Sequence, residues 1–176
     1  AEECTIMAEL GRGANAIVFR AKWQGQDVAI KKIKMEGLSM NERNARQASF
    51  LTETDILIQL RHPNILTVYG VITEDPRSLQ HVLELATHGD LREFLNVHAT
   101  GDKEQPLKEF CDAQEPLSPL IQLDLAAQVA RGMAACHKME CAHRDLKSLN
   151  VLASADASKP STLILKISDF GESKDI

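Results

Sequence analysis

His143-Arg144-Asp145-Leu146-Lys147-Ser148-Leu149-Asn150, followed shortly by Asp169-Phe170-Gly171, decides how this chain is read. After Asn150 come Val151-Leu152-Ala153, a polar, turn-prone stretch that includes Pro160, and then Leu163-Ile164-Leu165-Lys166-Ile167. Two apolar runs rich in branched residues around a turn segment predict a β-hairpin. Antiparallel strands run in opposite directions, so the residue before the first strand and the residue after the second emerge at the same end. Asn150 and Asp169 are therefore expected to be neighbours. An amide oxygen and a carboxylate held together, with Asp145 a few residues upstream, form a hard oxygen site suited to Mg²⁺. Taken alone, the same residues are also compatible with a polar loop that caps its own backbone.

The N-terminal half narrows the choice. Leu10-Gly11-Arg12-Gly13-Ala14-Asn15-Ala16-Ile17-Val18 fits G-x-G-x-x-G-x-V with Ala16 in place of the third glycine. A dinucleotide-binding fingerprint must open a helix. Here Ile17-Val18-Phe19 runs on as a strand through Trp23, turns over residues 24–27 and resumes as Val28-Ala29-Ile30-Lys31. A P-loop is excluded, because no G-K-[ST] closes the glycine segment. The glycines thus join strands. Lys31 has Lys32 and Lys34 for company, and a run of charge is commonly a solvated strand face. The next segment argues otherwise for Lys31. Residues 44–60 read as a helix ending before Arg61-His62-Pro63, with Phe50, Leu57 and Leu60 among its apolar positions. Glu53 lies three residues after Phe50 and four before Leu57, on their inward face. A carboxylate there needs a cation, and Lys31 on the preceding strand is the candidate.

These motifs, in this order and over essentially the whole chain, resemble a protein kinase. The chain is most similar to the tyrosine-kinase-like group of serine/threonine kinases. That group is suggested by Ala21-Lys22-Trp23, Leu60-Arg61-His62-Pro63-Asn64-Ile65-Leu66 and the Lys147-containing motif. The resemblance implies an α+β, bilobal fold: a β-rich small lobe over residues 1–86, then a truncated, helical large lobe over residues 87–176. It implies ATP and Mg²⁺ as cofactors. The segment from Leu10 to Val18 would fold over the phosphates, with Ala16 limiting how closely its backbone approaches. Lys31, paired with Glu53, would hold the α- and β-phosphates. Val18, Ala29 and Leu152 would sandwich the base, with Leu83 as gatekeeper and the backbone of Glu84 and Ala86 facing the adenine. Asn150 and Asp169 would bind the metal, Asp145 would accept the hydroxyl proton, and Lys147 would steady the γ-phosphate. Leu57, Val68, His143 and Phe170 resemble the family's stacked spine, which makes His143 a packed residue rather than a proton shuttle. Ordinary core is the competing reading for the apolar members of these sets. For the chain as a whole, the competing reading is a nucleotide-binding pseudokinase or scaffolding module. Protein substrates and an upstream activating kinase are the partners implied.

Composition agrees with a globular domain: 176 residues, 44% hydrophobic, 26% charged and a net charge of −5. No basic stripe with interleaved aromatics indicates nucleic acid. No run is long and apolar enough for a membrane span. Cys4, Cys111, Cys136 and Cys141 form no C-x-x-C pair, so free thiols in the cytosol, or in the cytosolic part of a larger protein, are expected. Residues 96–115 read as a loop insertion between helices. Ser118-Pro119 signals the start of a long helix, buried through Ile121, Leu125, Val129 and Met133 and widened by Leu123, Ala126, Ala127 and Ala130. The sequence stops soon after Gly171, before any A-P-E motif. By itself this stretch is expected to lack peptide phosphorylation activity.

Overall fold

Gln24 and Gly25 have φ values of 51° and 80°. Two successive left-handed residues match the twist of a two-residue hairpin, and they join β2 (Ala16–Trp23) to β3 (Gln26–Ile33). With β1 (Cys4–Arg12), β4 (Val68–Ile72) and β5 (Gln80–Glu84) these strands form a five-stranded antiparallel sheet in the order β1-β2-β3-β5-β4. The computed structural model describes residues 4–73, 75, 78–100, 117–155 and 162–175. It divides into two compact units, Ala1–Gln59 with Thr67–Leu85, and Leu60–Leu66 with Ala86–Ile176.

In the first unit, alternation along the strands separates two faces. Ala21, Val28, Ile30 and Val82 pack together on one, flanked by Cys4, Phe19, Trp23 and Ile72. The other receives helix α1 (Met40–Gln59), whose Phe50 joins Ile33, Met35 and Leu79 in a second cluster. The helix begins four residues before position 44, where the sequence reading started it. The reason is a reciprocal capping box: the Glu42 N–H donates to Ser39 Oγ at 3.4 Å, and the Ser39 N–H donates to Glu42 Oε2 at 2.8 Å. The Ser39 hydroxyl, which donates to the same Glu42 Oε2 at 2.6 Å, and after it the Ser39 N–H favour the ionised carboxyl and hold Glu42 below the usual carboxylate range.

Residues 60–66 belong with the second unit, not with the first lobe where the sequence reading placed them. Backbone bonding decides this. Leu66 N–H donates to Ile167 O at 2.9 Å, and Ile167 N–H donates to Asn64 O at 2.9 Å. Helix α2 (Leu91–Thr100) is started by Asp90, whose Oδ1 accepts from the Glu93 amide at 2.9 Å. Residues 96–100, expected in the loop insertion, are therefore helical, and residues 101–115 lie outside the described residues. Helix α3 (Pro119–Lys138) begins as expected, with Ser118 as N-cap and Pro119 in the first turn. β6 (Cys141–Ala142) pairs with β9 (Lys174–Asp175), and β7 (Val151–Ala155) pairs with β8 (Leu163–Ile167) in the expected hairpin.

Helix α3 corrects one expectation: it is buried on a single face, through Leu125, Gln128, Gly132 and Cys136, while Leu120, Ile121 and Leu123 are exposed. A glutamine on the buried face has a physical reason. Gln128 Oε1 accepts from the Leu165 N–H at 2.8 Å, and its Nε2 donates to Leu163 O at 3.0 Å, so the side chain pairs with the outer edge of β8. Asn64 Nδ2 adds bonds to Leu165 O at 2.9 Å and to Gln128 Oε1 at 3.2 Å. A Cβ added at Gly132 would lie 2.7 Å from both Asn64 O and Ile167 Cδ1. Gly132→Ala should therefore destabilise by up to about 2 kcal/mol net, because an overpacking cost of about 1–3 kcal/mol is offset by a gain in helix propensity of about 1 kcal/mol. Urea unfolding checks it, and an increase in stability would show that the helix shifts freely.

Candidate active site

Residues directly opposite one another in an antiparallel ladder project to the same side. Val18 lies opposite Lys31, Ala29 opposite Leu83, and Lys31 opposite His81, so all five share one face of the sheet. It is the face covered at one end by α1. The sequence reading had grouped Val18, Ala29, Lys31 and Leu83 around a nucleotide, and strand register brings those four together. The Glu84 N–H donates to Thr67 O at 2.9 Å. Ala86 and Leu152 belong to the second unit, where the His88 N–H donates to Ala153 O and the Ala153 N–H donates to Gly89 O.

Lys31 Nζ donates to Glu53 Oε1 at 2.7 Å, with side-chain exposures of 16% and 5%. The expected pair is formed, and it is shielded enough from water for the charges to interact strongly. The glycine segment is tied down on both sides. Lys34 Nζ donates to Gly13 O at 2.6 Å, and the Lys34 N–H donates to Asn15 O at 2.9 Å. From α1, Arg46 donates to Asn15 Oδ1 at 3.1 Å and also to Lys34 O. Ala16 packs against Ile33, Met35, Phe50 and Leu79, which gives its methyl a role that a third glycine would not fill. Leu10, Gly11, Arg12, Gly13 and Ala14 are exposed, with Arg12 ion-paired to Glu9 at 2.6 Å.

In the second unit a short 3₁₀ turn, Ser148–Asn150, leads into β7. The Ser168 N–H donates to Asn150 O at 2.8 Å, and its hydroxyl does so at 3.1 Å, so Asn150 is bonded to the residue before Asp169 as the hairpin geometry predicts. Asn150 Nδ2 donates to Asp145 O at 2.9 Å and to Asp145 Oδ2 at 3.0 Å, which leaves its own Oδ1 as the acceptor end. Lys147 Nζ donates to the same Asp145 Oδ2 at 2.6 Å. The bond from Lys147, supported by that from Asn150, holds the Asp145 carboxyl below the usual carboxylate range. Arg144 and Asp169 have φ values of 66° and 64°, left-handed backbone that is uncommon outside glycine and that clusters at functional sites.

His143 is packed, as expected. Its ring lies 4.7 Å from that of Phe170, its Nδ1 accepts from the Asp145 N–H at 3.3 Å, and its Nε2 bonds Ser168 O at 3.0 Å. Both ring nitrogens are engaged in placing the loop. Sequence reasoning missed Arg46, Ser168 and Gln128. Each is a polar residue whose role lies in a long-range bond that no local pattern announces.

A sheet carrying the Lys31–Glu53 pair, and a hairpin flanked by Asp145, Asn150 and Asp169, define a protein kinase domain. A sequence profile described as protein tyrosine and serine/threonine kinase matches residues 4–176, and the chain belongs to that family. It is 34% identical over 176 residues to a probable LIM domain-containing serine/threonine-protein kinase of Dictyostelium discoideum, a match covering 99% of this chain and 23% of the relative. It is 34% identical to mitogen-activated protein kinase kinase kinase 13-A of Xenopus laevis, covering 99% of this chain and 14% of that protein. It is also 32% identical to the human cytoplasmic tyrosine-protein kinase BMX, covering 97% and 21% respectively. The chain thus spans less than a quarter of the length of these relatives.

Proposed function

We propose that the protein carrying this chain transfers the γ-phosphate of ATP to serine or threonine hydroxyls of other proteins. The observation that carries the reading is the Asp145 carboxylate, kept ionised by Lys147 at 2.6 Å and oriented by Asn150 at 3.0 Å. A carboxylate so placed is a positioned proton acceptor. Its lowered pKa makes it a weak base, so its contribution is chiefly to aim the hydroxyl oxygen and to receive the proton as the bond to phosphorus forms. Lys31, steadied by Glu53, holds the α- and β-phosphates, and Lys147 stabilises charge on the transferred group. The polar tip of Asn150, with Oδ1 left over after both donors are used, and the Asp169 carboxylate fit a hard divalent cation of the Mg²⁺ kind. When bound, that cation supplies charge neutralisation along the phosphates. Arg144, beside Asp145, is suited to receive a phosphate added to the activation segment by an upstream kinase. A location in the cytoplasm, or in the cytosolic part of a larger protein, where ATP is plentiful, agrees with this reading.

Lys147 favours serine or threonine over tyrosine as acceptor. The test incubates the purified full-length protein with γ-labelled ATP, Mg²⁺ and a generic peptide mixture, then separates the phosphoamino acids. Phosphoserine and phosphothreonine are expected. Predominant phosphotyrosine would overturn the acceptor assignment, and nucleotide binding with no transfer would make the protein a pseudokinase module instead.

A further inference from the structure

His81 is a polar side chain that the mechanism above does not use, and it is 0% exposed. It sits in β5 directly opposite Lys31 of β3, and its ring stacks on Phe50 of α1 with centroids 4.2 Å apart. Its Nε2 lies 2.8 Å from Thr54 Oγ1. The direction of this bond follows from the hydroxyl's single proton. Thr54 Oγ1 donates that proton to Phe50 O at 2.7 Å, so it accepts from His81, and Nε2 carries the hydrogen. Nδ1 is then an unprotonated nitrogen with no partner, a milder burial than an orphaned N–H. Thr54 follows Glu53 in α1, and Phe50 precedes Glu53 by one turn. Both contacts of the imidazole therefore fall on the stretch of helix that carries the carboxylate, and its strand neighbour carries the lysine.

We infer that His81 is a positioning residue for the Lys31–Glu53 pair: its Nε2–H, donated to Thr54, and its ring, stacked on Phe50, brace α1 against the sheet. The pair alone fixes one carboxylate oxygen, and the brace fixes the helix behind it. An aliphatic residue at position 81 would fill the volume without holding the rotation of α1 about its axis. The uncharged ring also avoids placing a second cation beside Lys31. Burial and the Lys31 charge keep it neutral, lowering its pKa to about 3.

The effect on transfer rests on the kinase reading, so the test has one arm that needs no activity. His81→Phe keeps a ring on Phe50 and removes the donor; Thr54→Val removes the acceptor; His81→Gln restores a donor at the Nε2 position. In the full-length protein, hydrogen exchange of the α1 amides is expected to quicken roughly tenfold in His81→Phe and Thr54→Val, the loss of one buried hydrogen bond, and to stay within about threefold of the parent in His81→Gln. kcat for peptide phosphorylation should follow the same order, with the KM for peptide unchanged. The ¹⁵N spectrum of His81 should show an Nε2-protonated ring that does not titrate between pH 5 and 8. Unchanged exchange in His81→Phe and Thr54→Val, or a His81→Gln variant as impaired as His81→Phe, overturns the proposal. Should His81→Phe fail to fold, Thr54→Val reads the same bond from the other side. A parent that transfers no phosphate sinks the kinase reading, and the exchange arm still decides the brace.

Discussion

Asp145→Asn is expected to lower phosphate transfer by about 10³-fold, in the range that a positioned proton acceptor contributes. The substitution keeps the shape of the side chain and leaves Lys147 and Asn150 in place, so nucleotide affinity should change little. The thermal midpoint should also hold, because the Asp145–Lys147 pair is exposed and such pairs contribute little to stability. In the parent, the carboxyl's lowered pKa means that protonation of Asp145 limits the rate only below the usual carboxylate range. Any fall in rate on mild acidification must then come from another group. Single-turnover transfer at saturating ATP is the measurement. A variant that retains a tenth of the parent's rate would remove Asp145 from the role of acceptor.

Lys31→Met should have two effects that a further substitution separates. The Glu53 carboxylate is 5% exposed, and removing its partner leaves a buried charge uncompensated, a loss of about 3–5 kcal/mol. Transfer should fall to background as well, since the phosphates lose their cation. Adding Glu53→Gln removes the orphaned charge, so Lys31→Met/Glu53→Gln should recover most of the stability and none of the transfer. Chemical denaturation and phosphate transfer on the same samples check both halves. Full stability in Lys31→Met alone would mean that Glu53 has another strong partner, and transfer regained in the double variant would mean that Lys31 acts only through the fold.

The legible parts of the chain were those in which a local rule forces a long-range result. Two strand-like runs separated by a turn over residues 24–27 gave the β2–β3 hairpin, whose turn is the shorter Gln24-Gly25, and hairpin geometry placed Asn150 near Asp169, where it bonds the preceding Ser168. The spacing of Phe50, Glu53 and Leu57 gave the inward carboxylate, and Ser118-Pro119 gave the start of α3. Other features were hidden for physical reasons. Apart from the exposed Met40, the first turn of α1 is polar, and apolar periodicity is silent there; the Ser39 and Glu42 capping pair marks it. The four-residue spacing from Ile121 to Met133 suggested a buried stripe; Leu125 is buried and Val129 packs against the core, but Ile121 is exposed, and the buried face runs through Leu125, Gln128, Gly132 and Cys136. Gln128 and Gly132 earn no weight in a hydrophobic pattern, although one binds a strand edge and the other admits the Asn64 carbonyl. His81 within an apolar strand carries no signal of its bond to Thr54, because the partner lies on another element and 27 residues away.

The β7–β8 ladder is in unbroken register from Val151 opposite Ile167 to Ala155 opposite Leu163. Gln128 grips the outer strand at Leu163 and Leu165. Register is thus set by side chains outside the hairpin, and the residues bound for chemistry stand at the end of the ladder away from the connecting segment. Lengthening that connection costs only loop-closure entropy, which grows slowly with length. Insertions between Ala155 and Leu163 would leave Asn150 and Asp169 where they are. Over evolutionary time, insertions at that point would be open to recruitment as docking or regulatory appendages, while the ladder keeps Asn150 and Asp169 apart from such changes.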